Sequence, residues 1–424
     1  MSMEGGLKPA RGFSPAAQPM KILVLNGGSS SFKSSLYDVT GNEEAAAPNP
    51  VWEAKVDWEH HPGTAEIQIK AGGAVTTRSV PVKSPLDSLD PLMAMLPHRN
   101  EIHVAGHRVV HGGRAFREST RITPEVRAGI ARMASFAPEH NRLELEAIEC
   151  MERLLGPDTV QVAVFDTAFH ASLPPPAYVY PGPYAWVDQG IRRYGFHGIS
   201  HQYTSRRAAA ILDRDLASLR MITCHLGNGC SLAAIRDGSS LDTTMGFTPL
   251  EGLMMGTRSG TVDPGIVIHL VRHLGLSAEA LDRVLNKESG LLGVSGVSGD
   301  MRAVLAALDG GNARAQLAFD VYVHRLRSEI GAMLASLGGL DALVFTAGVG
   351  ENSPQVRAQA VEAFAFLGVK LDAAKNAQSP PDTDIAAPDS AVRVLVVHTE
   401  EEWEIARESF RVASATPPPV QPAG

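Results

Sequence analysis

The sequence contains few cysteines and no spacing typical of a disulfide framework. Only three cysteines, Cys150, Cys224 and Cys230, occur in 424 residues, and no Cys-x-x-Cys pair is present. An odd number of cysteines in a chain large enough to bury its own core favours a reducing compartment. We therefore expect a cytoplasmic protein.

A membrane-length apolar segment and an excess of basic charge are also missing. The apolar runs at 22–25 and 394–397 are as short as strands, and residues 1–20 lack the continuous apolar stretch of a secretory signal. The formal net charge of -8 argues against nucleic acids and anionic membranes as partners. A small anionic substrate stays possible, because a few arginines can reverse the field inside one cleft.

Strand and helix patterns alternate along most of the chain. Residues 1–20 and the Pro-rich segment 413–424 predict disordered ends. Residues 139–155 have helical spacing, and Ser277 and Ser353 are typical helix caps, the second followed by Pro354. Short apolar runs predict strands at 21–25, 32–39, 102–110, 160–165, 220–224, 232–236, 340–345 and 392–397. This alternation indicates an α/β protein.

Three glycine-rich turns follow predicted strands, at 26–31, 227–231 and 346–352. Such turns expose backbone N–H groups that can bind phosphate oxygens, although each alone is more often a simple turn. None is a Walker motif or a convincing dinucleotide fingerprint. The first two share the order strand, Asn-Gly-x-Ser, strand, which fits either an internal duplication or two unrelated hairpins. Together the three turns suggest a phosphate-binding cleft.

Arginines and an aspartate stand beside these turns. Arg108 ends a predicted strand before two glycines, and Arg258 lies in a loop between glycines. A solvated surface charge is the ordinary alternative for each, but flanking glycines allow close approach of a ligand that a guanidinium can bind bidentately. Asp166 follows the predicted strand 160–165, where ligands and Mg²⁺ gather in α/β proteins, although a turn aspartate is equally common.

Two further groups suggest chemistry. The pair His197 and His201 has i, i+4 spacing, but Gly198 and the lack of His-Glu-x-x-His make a helical metal pair improbable, so His197 is a better candidate for contacting a phosphoryl oxygen. A structural role is the alternative for His170, His201 and His225. The acids at 400–402 either stabilise a helix start or bind Mg²⁺ through water.

These features, taken in order, resemble the acetate kinase family within the acetate and sugar kinase, Hsp70 and actin superfamily. The resemblance extends from about residue 21 to about residue 407. It is carried by seven segments: LNGGSSSFK (25–33), GHRVVHGG (106–113), FDTAFH (165–170), RRYGFHGISH (192–201), HLGNGCS (225–231), DTTMGFTPLEGLMMGTRSG (242–260) and FTAGVGENS (345–353).

The resemblance implies a duplicated actin-like (ribonuclease H-like) α/β fold with the active cleft between two domains. Residues 21–168 with 400–412 would form one domain and residues 169–399 the other. It further implies a homodimer that uses Mg²⁺, with Mn²⁺ as a possible substitute, and that binds ATP or ADP and a small carboxylate.

The resemblance also implies roles for individual residues. Asp166, His197, Arg258 and Arg108 would be catalytic, with Arg108 also binding the substrate. Val110, Phe196 and Pro249 would line an apolar pocket for the acyl methyl group, and Asn26 and Glu401 would position the metal. Nucleotide contacts would come from Lys33, His225, Leu226, Gly227, Asn228, Gly229, Asp300, Met301, Arg302, Gly348, Val349, Gly350, Glu351 and Asn352.

One departure from the family pattern concerns substrate choice. Glu139 stands where an apolar residue, usually Leu, closes the acyl pocket, and an acid there would repel a carboxylate unless it points away or is paired. Acetate is the expected acceptor, with propionate or butyrate as the nearest alternative. A sugar kinase is disfavoured by the apolar pocket. A non-catalytic actin-like or chaperone-like ATP switch would leave the two arginines unexplained.

Overall fold

The computed structural model describes residues 19–28, 31–41, 46–58, 63–133 and 138–415, without the side chains of residues 85, 86 and 138–142. Of the ends predicted to be disordered, residues 1–18 and 416–424 lie outside the described residues. The same holds for Ser29 and Ser30 of the first glycine-rich turn and for the side chain of Glu139. The prediction of disordered ends is wrong at Met20, where a strand begins, and at 413–414, where a helix ends.

Every predicted strand coincides with part of an observed one, because each is a short run rich in apolar and β-branched residues that two-sided burial requires. The strands are β1 (Met20–Gly27), β2 (Ser31–Val39), β3 (Trp52–Asp57), β4 (Thr64–Ala71), β5 (Ala74–Pro81), β6 (Val104–Val109), β7 (Thr120–Arg121), β8 (Val160–Phe165), β9 (Arg220–Leu226), β10 (Cys230–Arg236), β11 (Ser239–Thr243), β12 (Ala342–Thr346), β13 (Thr383–Asp384) and β14 (Arg393–Val396).

The helices cover the faces and ends of the sheets, and the predicted caps are confirmed: Ser277 accepts from Ala280 N–H and Ser353 from Val356 N–H. The helices are α1 (Leu89–Ala94), α2 (Pro124–Met133), α3 (Pro138–Leu155), α4 (Pro175–Tyr178), α5 (Ala185–Asp188), α6 (Gly198–Ile211), α7 (Pro264–Leu274), α8 (Ala278–Lys287), α9 (Gly290–Ser295), α10 (Met301–Asp309), α11 (Ala313–Leu337), α12 (Ala347–Asn352), α13 (Pro354–Glu362), α14 (Ala373–Gln378) and α15 (Glu401–Ser414).

Two sheets repeat one topology. The first has the order β5-β4-β3-β2-β1-β6-β8-β7 and the second β11-β10-β9-β12-β14-β13. In each, three antiparallel strands (β3-β2-β1 and β11-β10-β9) continue into two parallel ones (β6-β8 and β12-β14). The two Asn-Gly hairpins occupy equivalent places, so the duplication that the sequence left open is present in the fold.

The two sheets are joined through buried apolar packing. One cluster contains Ile22 and Val24 of β1 together with Met221 of β9 and Val344 of β12. Trp403 and Ile405 of α15 belong to the same cluster, and α15 packs on the first sheet although it follows the second in the chain. This packing fixes the two sheets relative to one another.

The third glycine-rich segment differs from the prediction. Residues predicted as a turn form the short helix α12, which starts directly after β12 with Ala347 in the left-handed region at φ 63°. Glycine disfavours helices, so the helix is stabilised from outside: buried Arg357 donates to the carbonyl oxygens of Gly350 and Glu351 at 2.8 and 2.7 Å.

Among the described residues, no helix is both long enough and apolar enough to cross a membrane.

Candidate active site

Arg108 and Asp166 meet because β6 and β8 are parallel neighbours whose carboxyl ends lie at one edge of the first sheet. Arg108 donates from Nε and Nη2 to Asp166 Oδ2 at 3.1 and 2.6 Å, and from Nη1 to the Gly27 carbonyl oxygen at 2.9 Å. Burial raises the pKa of Asp166, and the Arg108 charge opposes that rise. Asp166 Oδ1 is buried and has no partner among the described residues.

The start of α15 brings acids to the end of β1. Asn26 Nδ2 donates to Glu401 Oε2 at 3.3 Å and to Glu402 Oε1 at 3.0 Å. Lys33, which pairs with Asn26 in the β-ladder, places Nζ 3.4 Å from Glu402 Oε1. Burial by itself would raise the pKa of Glu401, but the positive charge of Arg108 and other nearby groups lowers it below its ordinary value, so Glu401 is ionised.

His197 is held by the backbone at the start of α6. It has φ 56°, in the left-handed region, and precedes Gly198, whose N–H donates to the Asp166 carbonyl oxygen at 2.9 Å. A Cβ at position 198 would collide with that same oxygen, so only glycine fits. His197 Nδ1 lies 2.9 Å from Ser231 Oγ, and its ring stacks on His225 with centroids 4.2 Å apart.

Arg258 approaches the same place from the second sheet's loops. Its Nη1 donates to the Pro249 carbonyl oxygen at 2.6 Å. A Cβ added to Gly229 would lie 2.7 Å from Arg258 Nη2 and 3.3 Å from His197 Nε2. Arg258 and His197 therefore both lie against Gly229 of the second glycine-rich turn, and the missing side chain at this position leaves room for them.

His197 and His225, the two stacked histidines of this site, favour the neutral form. Burial, the neighbouring imidazoles, Arg108 and Arg258 all lower the pKa of His197. Burial also lowers the pKa of His225, whose Nδ1 lies 2.8 Å from Ser200 Oγ. His197 can therefore act as a hydrogen-bond donor but is not a standing positive charge.

The three segments predicted to bind nucleotide lie around the second glycine-rich turn. Gly256 N–H donates to the Asn228 carbonyl oxygen at 3.0 Å. A Cβ at Gly256 would lie 2.9 Å from the Gly299 carbonyl oxygen, and one at Gly227 would lie 3.7 Å from Ala347 Cβ. Gly299, which precedes the 300–302 segment, and Ala347, the first residue of α12, thus lie close to the turn at 227–229 or to its neighbour Gly256.

Not every side chain of these segments is free for a ligand. Leu226 and Met301 are buried in the core, so only their backbone is available. Asp300 caps α10 and pairs with Arg302 at 2.6 Å. Glu351 accepts from Thr399 N–H at 3.1 Å and lies 2.7 Å from His398 Nδ1, and this carboxylate raises the pKa of His398 to about 9.

The three acyl-pocket candidates lie beside the arginines. Val110 and Phe196 belong to one buried apolar cluster, and the Pro249 carbonyl oxygen accepts from Arg258. The pocket's character at position 139 is not described, because the Glu139 side chain lies outside the described residues.

Sequence reasoning missed Glu144, which lies directly behind this pocket. Its Oε1 accepts from Val110 N–H at 3.0 Å, whereas Oε2 is buried and has no partner among the described residues. It lines a cavity of about 40 Å³ together with Gly27, Arg108 and Ala147. Burial raises the pKa of Glu144 to about 8. The sequence does contain a signal for this buried acid. Glu144 precedes Ala147, Ile148 and Met151 by three, four and seven residues, so it lies on the same, buried face of α3.

Glu402, Ser231 and Ser200 were likewise not singled out as site residues. Glu402 belongs to the predicted acid cluster at 400–402, but the family pattern assigns the metal to Glu401 and not to Glu402. Ser231 and Ser200 lie inside quoted segments, and only the folded structure brings their hydroxyls to histidines.

The duplicated sheets and a cleft lined by arginines and glycine-rich loops define a phosphotransferase of the actin-like class. The model of the acetokinase family matches residues 21–407. An acetate kinase of Gloeobacter violaceus is 60% identical over 403 residues, covering 92% of this chain and 99% of that protein. One from Cyanothece is 58% identical, covering 93% and 98%. The chain belongs to the acetokinase family, whose members are phosphotransferases that act on a carboxylate with ATP.

Solved structures give the same result. The crystal structure of Porphyromonas gingivalis acetate kinase superposes with a TM-score of 0.84 at 40% identity, covering 93% of this chain and 99% of that one. A propionate kinase from Francisella tularensis superposes with a TM-score of 0.85 at 37% identity, covering 93% and 100%. The fold expected from the sequence is thus confirmed.

Proposed function

We propose that the chain catalyses the reversible, Mg²⁺-dependent transfer of the ATP γ-phosphoryl group to acetate, giving acetyl phosphate and ADP. Two observations carry this proposal: Arg108 joins Asp166 to the Gly27 carbonyl oxygen of the first glycine-rich turn, and Arg258 and His197 both approach Gly229 of the second. Two guanidinium groups and a neutral imidazole beside two glycine-rich loops are suited to a transferring phosphoryl group.

Direct in-line attack requires little proton chemistry from the protein. Acetate is ionised at neutral pH, so no general base is needed. A carboxylate oxygen forms the bond to the γ-phosphorus while the bond to the bridging oxygen breaks, and ADP leaves with that electron pair. Arg108, Arg258 and His197 stabilise the charge on the equatorial oxygens.

Asp166 has the role of an orienting group in this mechanism. Its Oδ2 accepts twice from Arg108, which fixes the guanidinium with its remaining N–H groups available. Removing the carboxylate would release Arg108 and leave a buried cation without its partner.

The residues present fit Mg²⁺. Unpartnered Asp166 Oδ1, ionised Glu401 and the Asn26 amide oxygen are hard oxygen donors, and Mg²⁺ is commonly bound by one or two carboxylates together with substrate phosphates. Mn²⁺ accepts the same donors. The described residues contain no group of three or more His, Cys, Asp or Glu side chains able to hold a metal by themselves. When bound, the ion would neutralise phosphate charge, and Asn26, Glu401 and Asp166 would hold it.

The nucleotide is proposed to bind along residues 225–229, 300–302 and 348–352, with Lys33 near its phosphates. Gly227 N–H donates to the Gly229 carbonyl oxygen, so the phosphate is proposed to bind at the N–H groups of Asn228 and Gly229, where position 229 has no Cβ. Arg302, whose side chain is 89% exposed, is available at the outer end of the cleft.

Acetate is proposed over propionate because the family pattern assigns Val110, Phe196 and Pro249 to a small apolar wall, and Val110 and Phe196 lie in one buried cluster. The propionate kinase among the structural relatives keeps propionate as the alternative. One methylene changes the discrimination by only about 1–3 kcal/mol, so the preference is a matter of degree.

The test is ADP release from Mg-ATP with acetate, propionate, butyrate or glycerol supplied separately. We expect release that depends on the carboxylate and is most efficient with acetate. A higher kcat/KM with propionate would identify propionate as the preferred acceptor. ADP release that does not depend on any carboxylate would refute the proposed function.

We also propose that the protein works as a homodimer in the cytoplasm. All three cysteines are free thiols, as a reducing compartment allows. Helix α7 is apolar, yet none of its 11 residues is buried, which is consistent with a face covered by a second copy.

A further inference from the structure

His197 is the end of a chain of hydrogen bonds that runs away from the cleft. Its Nδ1 lies 2.9 Å from Ser231 Oγ, which lies 2.8 Å from His201 Nε2. His201 Nδ1 in turn lies 2.7 Å from Thr223 Oγ1. Ser231, His201 and Thr223 are fully buried, so water does not compete for these bonds.

These hydrogen bonds can all point in one of two directions, and each direction fixes one tautomer of His197. In the first, Thr223 O–H donates to His201 Nδ1, His201 Nε2–H donates to Ser231 Oγ, and Ser231 O–H donates to His197 Nδ1. The hydrogen of His197 then stays on Nε2. In the second, every donor and acceptor is exchanged, and His197 Nε2 carries a lone pair instead.

The last hydroxyl of the chain decides between the two directions. In the first direction the Thr223 hydrogen is used on His201. In the second direction Thr223 accepts from His201, and its own O–H needs an acceptor. Among the described residues, His201 is the one hydrogen-bond partner of Thr223 Oγ1. A buried hydroxyl hydrogen without an acceptor is costly, so the first direction is favoured.

We propose that Ser231 and His201 are positioning residues that hold His197 as the tautomer with its hydrogen on Nε2, the nitrogen that faces the turn at 227–229. The inference rests on the proposed function, in which His197 donates to a phosphoryl oxygen. A lone pair on Nε2 would instead repel that oxygen.

The surroundings of His197 support this assignment. Nε2 is the ring nitrogen 3.3 Å from the Cβ position of Gly229, so it is on the side of Arg258. Burial lowers the pKa of both His197 and His201 well below the ordinary value. Both rings are neutral, each has one hydrogen, and the position of that hydrogen is therefore decisive.

The test compares three variants that each remove one buried hydroxyl. Ser231→Ala removes the donor to His197, and Thr223→Val removes the far end of the chain without changing shape. Ser240→Ala is the matched control, because Ser240 Oγ is also fully buried and lies 2.8 Å from a histidine nitrogen, Nδ1 of His170, outside the chain. Melting temperatures check that all three fold.

Two readouts are needed: kcat and KM for acetate, and the ¹⁵N resonances of the histidines, with the His197 signals assigned by their loss in His197→Gln. We expect the hydrogen on Nε2 in the unaltered chain. Ser231→Ala should populate the other tautomer and lower kcat about tenfold or more while changing KM less. Thr223→Val should act in the same sense more weakly, and Ser240→Ala should leave the His197 resonances and kcat unchanged.

A hydrogen on Nδ1 of His197 in the unaltered chain would overturn the inference. So would unchanged His197 resonances in Ser231→Ala, or an equal loss of kcat in Ser231→Ala and Ser240→Ala. The tautomer is read without turnover. If the unaltered protein released no ADP in a carboxylate-dependent way, the proposed function would be refuted. The ¹⁵N resonances would still decide the tautomer of His197.

Discussion

At the residue scale, Glu144 shows how a buried acid can be tolerated next to the proposed acyl pocket. The side chain is 8% exposed and gives one oxygen to the Val110 N–H, which belongs to the proposed acyl wall. Burial raises the pKa of Glu144 to about 8, so at neutral pH this group is mostly a neutral carboxylic acid. It can then support the backbone of Val110 without placing a negative charge behind Arg108.

The same pKa predicts a pH dependence of stability. Between about pH 4.5, the ordinary pKa of the unfolded group, and pH 8, the folded state keeps a proton that the unfolded state loses. Stability from this group therefore falls as pH rises through that window, by up to about 1.4 kcal/mol per unit. Glu144→Gln keeps the acceptor for Val110 and should remove this slope.

The measurement is urea unfolding at several pH values between 5 and 8, and the difference between the two proteins isolates Glu144. Glu149→Gln, on the exposed side of α3, is the control and should follow the unaltered chain. If Glu144→Gln and the unaltered chain lose stability in parallel with pH, the buried acid is not protonated as described.

Arg258 is one of the two arginines whose charge the proposed mechanism uses. Arg258→Ala should lower kcat about a hundredfold or more, because it removes charge stabilisation specific to the transition state. Arg258→Lys should recover part of the loss but not all, since an ammonium cannot reproduce the fork that also bonds the Pro249 carbonyl oxygen. Steady-state kinetics decide, with Arg236→Ala, an exposed arginine on β10, as control. Near-normal kcat in Arg258→Ala would remove this residue from the mechanism.

At the element scale, the turn at 227–229 works through the absence of a side chain. Gly229→Ala would place a methyl group 2.7 Å from Arg258 Nη2 and 3.3 Å from His197 Nε2. We expect kcat to fall by about tenfold or more through displacement of Arg258, with little change in melting temperature. Gly331→Ala in α11 is the control, because its Cβ would meet nothing within 4 Å. Unchanged kcat in Gly229→Ala would mean that the guanidinium is not held at the turn.

The elements that sequence reasoning predicted are those whose signal is local. Strands such as β1 and β8 are continuous apolar runs, and Ser353 with Pro354 marks a helix start by itself. Helix α12 was missed because its sequence, Ala-Gly-Val-Gly-Glu-Asn, has low helix propensity and its carbonyl oxygens are satisfied by Arg357 from the next helix. A stabilising contact between elements leaves no local trace.

The site divides along the same line. Arg108, Asp166 and Arg258 could be proposed from glycine context and strand ends, and the family resemblance supplied the remaining roles. Glu144, Ser231 and Thr223 could not, because an acid or hydroxyl acquires a function here only by burial against a residue that is distant in the chain. Val110 lies 34 positions from Glu144, and Ser231 lies 34 positions from His197.

At the scale of the whole molecule, the duplicated topology explains why the site has two kinds of loops. The first sheet contributes Asn26, Arg108 and Asp166 from the ends of three neighbouring strands, and the second contributes the turn at 227–229 and α12. Helix α15 closes the arrangement, since it follows the second sheet but packs on β1, β6 and β8 of the first. Glu401 thus reaches Asn26 across 375 positions of sequence.

The last prediction concerns the surface of α7. Ile266, Ile268, Val271 and Leu274 are 48%, 50%, 46% and 63% exposed, which is unusual for four apolar residues of one helix. Covering the exposed half of such a side chain contributes about 1 kcal/mol, so packing a second copy on α7 would be stabilising. We expect a dimer at micromolar concentration in sedimentation velocity, and Ile268→Asp/Val271→Asp should convert it to monomers by introducing charges that dimerisation would have to desolvate.

Val75→Asp, at a residue 58% exposed on β5, is the control and should stay dimeric. A dimer that persists with both aspartates would show that the second copy binds elsewhere. A monomeric unaltered protein would refute the homodimer.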